Sequence, residues 1–113
     1  MSKRKVNLYC MDILDSGNAV FEFVSGMNFE EFKNDRKTCS AVIREFEIIG
    51  EAVGKIPDDL KQLHPDVEWQ DIKDFRNLLV HEYFGIDLEM VWQVIEEDLP
   101  LLMKAINKIL GSL

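Results

Sequence analysis

Arg76, Asn77, His81 and Tyr83 stand within eight positions of the stretch Phe75-Arg76-Asn77-Leu78-Leu79-Val80-His81-Glu82-Tyr83-Phe84-Gly85, which is otherwise largely apolar. If the stretch is helical, Asn77 and His81 are four apart and share a face, while Arg76 and Tyr83 lie two turns apart along one stripe. All four can then point toward one pocket, with Phe75, Leu78 and Leu79 facing elsewhere. A guanidinium, an amide, an imidazole and a phenol brought together suit an anionic substrate. Imidazole takes or gives a proton near neutral pH. A guanidinium fork holds a phosphate and stabilises the extra charge of its transition state. RNA supplies its own nucleophile, the 2′-hydroxyl. Histidine plus arginine is therefore sufficient equipment to cut RNA to a cyclic phosphate.

Other chemistries fit less well. The two histidines are far apart in sequence, His64 sits beside Pro65 in a loop, and neither Cys10 nor Cys39 has a partner at ligand spacing. No metal and no cofactor is expected. No serine or cysteine lies near the motif, which removes a nucleophilic triad. Each residue also has a plainer role open to it. His81 could be a core histidine, Arg76 could pair with Asp74, Glu82 or a carboxylate of another chain, and Tyr83 could be a core or interface aromatic. Asn77 could be a surface amide. Trp69 and Trp92 read as packing anchors rather than stacking platforms.

The residues need a scaffold, and composition says what kind. The 113 residues are enough for one domain with one core. Few prolines and glycines and little β-branched alternation indicate an all-α chain. No apolar run is long enough to span a membrane, and the basic start Lys3-Arg4-Lys5 is not followed by the apolar block of a signal peptide. Both cysteines fall inside apolar helical patterns and read as buried free thiols, so a reducing, cytoplasmic setting is expected. The net charge of −8 runs against a simple nucleic-acid binder. Any RNA contact must use a local basic focus, with Lys3-Arg4-Lys5, Lys33, Arg36-Lys37 and Arg76 as candidates. Alternatively, the acidic surface meets a basic protein partner.

In chain order, apolar steps of three and four predict a helix from about Arg4 to Val24, with Gly17 interrupting it at a close crossing and Gly26 suited to its C-terminal cap. Phe29–Phe32 reads as one helical turn. Asn34 or Asp35 can cap a second long helix, which carries Cys39, Val42, Ile43, Phe46, Ile49 and Val53 and ends before Pro57. A short helix over Asp58–Leu63 follows. Asp66 can cap the motif helix, which Gly85 ends. Asp87 caps the last helix, which Pro100 kinks or splits. The expected architecture is a single antiparallel helical bundle of four to six helices, short ones included.

The spacing Arg76-x4-His81-x-Tyr83 resembles the R-x4-H-x-Y motif of HepT-like toxins in the HEPN ribonuclease superfamily. The likeness extends to Phe29-Glu30-Glu31-Phe32, Asp35-Arg36, Ala41-Val42-Ile43-Arg44, Ile48-Ile49-Gly50-Glu51-Ala52, Trp69, His81 through Asp87 and Leu99-Pro100. It thus covers nearly the whole chain, implying one HepT-like HEPN domain over residues 1–113. The resemblance implies an all-helical homodimer whose motif helices meet across a cleft. It also implies a metal-independent endoribonuclease, with Arg76 and His81 catalytic and Asn77 supporting. Such proteins are the toxins of type VII toxin–antitoxin pairs. Their partner is a small nucleotidyltransferase antitoxin, in a complex that can be larger than the dimer; in some pairs it attaches AMP to the motif tyrosine, here Tyr83. The alternative is a catalytically inactive dimeric module that scaffolds the nucleotidyltransferase.

Overall fold

The computed structural model describes residues 2–81 and 85–113, and among them every regular element is helical. Helix α1 (Lys3–Phe23) starts where Ser2 accepts a hydrogen bond from the Lys5 amide at 3.3 Å, one of the donors a helix start leaves free. It buries Val6, Cys10, Ile13 and Val20 along one stripe. Gly17 does not interrupt the helix. It is buried at a crossing with the last helix, where a β-carbon would overlap the Met103 thioether. Beyond the end of α1, Gly26 takes the left-handed conformation, φ 78°, that other residues avoid.

A capping box builds α2 (Phe29–Lys33). Asn28 Oδ1 accepts from the Glu31 amide at 2.9 Å, and Glu31 Oε1 accepts from the Asn28 amide at 3.0 Å. This single turn drives Phe32 fully into the core, against the Trp92 ring. Asp35, rather than Asn34, caps α3 (Arg36–Lys55) by accepting from the Thr38 amide at 3.0 Å. Cys39, Val42, Phe46, Ile49 and Val53 of α3 are buried, as the spacing requires. Both cysteines are free and buried. Burial pushes both thiols up, and the Asp35 carboxylate adds to this at Cys39.

Helix α4 spans only Asp58–Lys61. Asp66 is not a cap, because α5 (Trp69–His81) begins three residues beyond it. What fixes the entry to α5 is Trp69. Its indole N–H is shared between the carbonyls of Lys61 and His64 at 3.0 and 3.1 Å, which ties the loop to the helix start. Both tryptophans pack, as expected.

Gly85 is outside any helix, and Asp87 caps α6 (Leu88–Gln93) by accepting from the amides of Glu89 and Met90. The chain stays helical through a π-type turn, Val94–Asp98, into α7 (Leu99–Ser112), where Pro100 occupies the first turn. Proline has no N–H to donate, and the preceding ladder shifts so that the Leu99 amide reaches Val94 O. The expected split at Pro100 is thus a change of helical pitch. Helix α1 packs on α3 and α7, and α3 also carries α5. The core joins Ile13, Phe32, Val42, Ile49, Leu79, Leu102 and Ile106 in one cluster. Helix α5 leans mainly on α3, which leaves its outer side open.

Candidate functional site

Helix α5 buries Phe75 and Leu79, four apart, and keeps Ile72 half-buried beside them. At about 100° per residue, this core stripe sets the direction of every other side chain on the helix. Arg76 falls at the edge of the stripe, next to α3. Asn77 lies about 100° further round and His81 about 140°, on the solvent side. Asn77 and His81 are exposed, and Arg76 is half-buried.

Arg76 is the most constrained of the three. Its Cβ and Cγ fill the space that a β-carbon on Gly50 of α3 would occupy, so the two helices approach closely at that point. Only glycine permits that approach. The arginine's Nε is buried with no hydrogen-bond partner among the described residues, which turns one edge of the fork inward. The terminal nitrogens face out. Nη1 donates to Asn77 Oδ1 at 3.3 Å, and Nη2 donates to Glu51 Oε2 at 3.0 Å. The Arg76–Glu51 pair is solvent-accessible, the two side chains being 32% and 58% exposed, so its worth lies in aiming the guanidinium rather than in stability.

The sequence pattern did not reveal Glu51. The plainer role open to Arg76 was a pair with Asp74, Glu82 or a carboxylate of another chain. The actual partner comes from α3, one residue after the glycine that admits the arginine. The juxtaposition of Gly50 and Glu51 was the available signal.

Among the described residues, neither of two cavities beside α5 is lined by Arg76, Asn77 or His81. Leu78, expected to face away from the site, lines an apolar cavity of about 400 Å³ on the other flank of α5. Five residues turn a helix through about 140°, so Arg76 and His81 point in different directions from α5. With Asn77 they form an exposed strip. Val80, an apolar side chain 41% exposed, projects between them. Tyr83 and Glu82 lie outside the described residues. Among the described residues, no group of three or more His, Cys, Asp or Glu side chains is placed to hold a metal ion, and no helix is long and apolar enough to cross a membrane.

A family model described as ribonuclease HepT-like matches residues 13–109, a span that includes Gly50, Glu51 and the whole motif. The chain belongs to the HepT-like ribonuclease family. The HepT-like chain is 42% identical over 107 residues to a Methanocaldococcus jannaschii protein that carries an RNase name, MJ1380, covering 95% of this chain and 98% of that one. It is 41% identical over 107 residues to the "Probable ribonuclease HepT" of Thermococcus cleftensis, covering 95% and 97%. A Caldanaerobacter subterraneus protein with an RNase name, TTE0752, is 37% identical over 102 residues, covering 90% and 91%. No solved structure matches the HepT-like chain at a significant level. An all-helical fold with Arg76, Asn77 and His81 on α5 is the scaffold expected for an RNase of the HEPN type.

Proposed function

We propose that this HepT-like protein is a metal-independent endoribonuclease in which Arg76 and His81 carry the chemistry and Asn77 supports Arg76. The observation that carries this reading is the outward-facing guanidinium of Arg76, fixed by Gly50 and Glu51 at the edge of the strip that ends in His81. In the proposed reaction the RNA 2′-oxygen attacks the adjacent phosphorus and the P–O5′ bond breaks, giving a 2′,3′-cyclic phosphate and a free 5′-hydroxyl. An imidazole removes the 2′-hydroxyl proton, and an imidazolium returns one to the leaving 5′-oxygen. Arg76 neutralises the charge that builds on the non-bridging oxygens. An exposed strip cannot exclude water alone. A second copy facing it would close the site, and Val80 in its middle suits such a contact. We read the protein as the homodimeric toxin of a type VII toxin–antitoxin pair. Its partner is then a nucleotidyltransferase antitoxin that places AMP on Tyr83 and sets new negative charge beside the motif.

A second reading, an inactive module that scaffolds the nucleotidyltransferase, draws on the Glu51 carboxylate already seated on Arg76 and on the net charge of −8. Cleavage of RNA by the purified protein in excess EDTA, with intact mass checked for AMP, separates the two. The ribonuclease reading expects cleavage that survives chelation. His81→Ala should lower it by roughly 10²–10⁴-fold, and Arg76→Ala by about 10²–10³-fold. Folded, unmodified protein silent on several RNAs would count against the ribonuclease reading and favour the scaffold.

A further inference from the structure

The outer strip of α5 does not stop at Arg76. Lys73 stands one turn earlier, about 4.5 Å of rise toward the helix start and roughly 60° round from Arg76 on the open side. Trp69 lies seven residues before Arg76, and Gln70 seven before Asn77, so both continue the same strip for two turns. At that end the strip opens into a cavity of about 700 Å³, lined by Lys73, Trp69 and Gln70 from α5 and by Lys61, Gln62 and Asp58 from the α4 region. It holds two ammonium groups against one carboxylate, in a chain whose overall charge is strongly negative.

Among the described residues the two lysines have between them a single carboxylate partner, Asp58. Among the described residues Lys73 has no ion-pair partner, and Lys61 reaches only Asp58, at 4.0 Å and almost wholly exposed. The stem of Lys61 is covered, its side chain 16% exposed. Burial lowers its ammonium from the usual lysine range; Asp58 opposes that shift, and the nearby charge of Lys73 adds to it. An anion between the two ammonium groups would relieve that repulsion. Trp69 cannot swing away, because its N–H is tied to two carbonyls. It adds a fixed aromatic wall, and Gln62 and Gln70 add neutral hydrogen-bonding groups. The opposite flank of α5 has the contrary character: Asp66, Glu68, Asp71, Asp74 and Asp98 line the apolar cavity there. A polyanion crossing α5 is steered to the lysine side.

We propose that the Lys61–Lys73 pocket is a second foothold for the RNA strand, taking the phosphodiester of a nucleotide next to the one held by Arg76. This rests on the ribonuclease reading, which supplies the RNA and the anchor at Arg76. The pocket binds and orients; it takes no part in bond breaking. Its lysines were absent from the basic foci that the sequence suggested, because Lys61 and Lys73 are twelve positions apart and meet only when the loop pinned by Trp69 folds back.

The test is binding of a fluorescently labelled single-stranded RNA to the cleavage-impaired His81→Ala protein, across a salt series, before and after adding Lys73→Ala or Lys61→Met. Lys61→Met keeps the covered stem, and thermal melting checks the fold of both. The pocket predicts weaker binding by several-fold for each, with the slope of log affinity against log salt shallower by about 0.7 for each phosphate no longer neutralised. Lys73→Arg should restore both. Lys104→Ala, the same charge change on an exposed position of α7, should alter neither. In the active protein the pocket variants should raise KM and leave kcat unchanged. Tight RNA binding that is unchanged by Lys73→Ala and Lys61→Met would overturn the foothold and leave the ribonuclease reading standing. Absence of RNA binding at every salt concentration would remove both.

Discussion

A β-carbon on Gly50 would occupy the space filled by Cβ and Cγ of Arg76, so Gly50→Ala must push either the arginine stem or the helix pair apart. Overpacking of this kind costs about 1–3 kcal/mol in stability. It also moves a guanidinium that the proposed reaction needs in one place. Gly50→Ala is therefore expected to lower RNA cleavage well beyond its effect on melting temperature, as measured by kcat on protein shown to be folded. Glu51 makes a different prediction. Its carboxylate both aims Nη2 and competes with phosphate for it. Glu51→Gln removes the competing charge and weakens the aim, so KM for RNA should fall while kcat also falls. Unchanged values of both would mark the bridge as an ordinary surface pair. At this scale the sequence displayed the types and spacing of the motif residues. It did not display Glu51, Gly50 or the lysine pocket, because those neighbours come from other elements and spacing along one helix says nothing about them.

At the scale of elements, most boundaries were legible because each has a local physical cause. Asn28 and Glu31 reciprocate at the start of α2, Asp87 caps α6, and Gly26 turns the chain after α1. The errors are equally local. Asp66 carries a capping side chain but sits two residues before the cap position, and the Trp69 indole fixes that start instead. Shared faces judged pairwise do not show the angle that accumulates along a helix, about 140° between Arg76 and His81. The cap at Asp35 allows a pH prediction. The Thr38 amide, then the Thr38 side chain, hold the Asp35 carboxyl below its usual range. A group lowered in the folded state contributes stability above its ordinary pKa and loses it as pH falls through the folded value. Asp35→Asn keeps a capping acceptor but has no charge to lose. The wild-type protein should melt higher than Asp35→Asn at neutral pH, and the difference should shrink below the ordinary aspartate range. A constant difference down to about pH 2 would show that the cap's charge contributes nothing.

For the whole molecule, the arrangement around α5 bears on a protein of net charge −8 that is proposed to handle RNA. Lys61, Lys73 and Arg76 occupy one flank, while five carboxylates line the cavity on the other. The cationic flank also holds the carboxylates of Asp58 and Glu51, whereas the cavity on the other flank is lined by carboxylates with no lysine or arginine, so charge differs in balance across one helix. The same helix poses a geometric problem: Arg76 and His81 of one copy diverge by about 140°. A two-fold axis placing two α5 helices face to face offers a solution, because each arginine can then meet the other copy's histidine. Mixing the two inactive variants tests this directly. Arg76→Ala and His81→Ala proteins, refolded together, should form heterodimers in which one composite site keeps an arginine from one chain and a histidine from the other. If subunits mix randomly, half the dimers are hybrids with one of two sites restored, so cleavage should return to roughly a quarter of the wild-type rate. A mixture as silent as its components, with hybrids confirmed by native mass spectrometry, would place both residues of each site on the same chain. Arg76 would then have to serve its phosphate from the edge of the strip, with His81 reaching round the helix through the RNA itself.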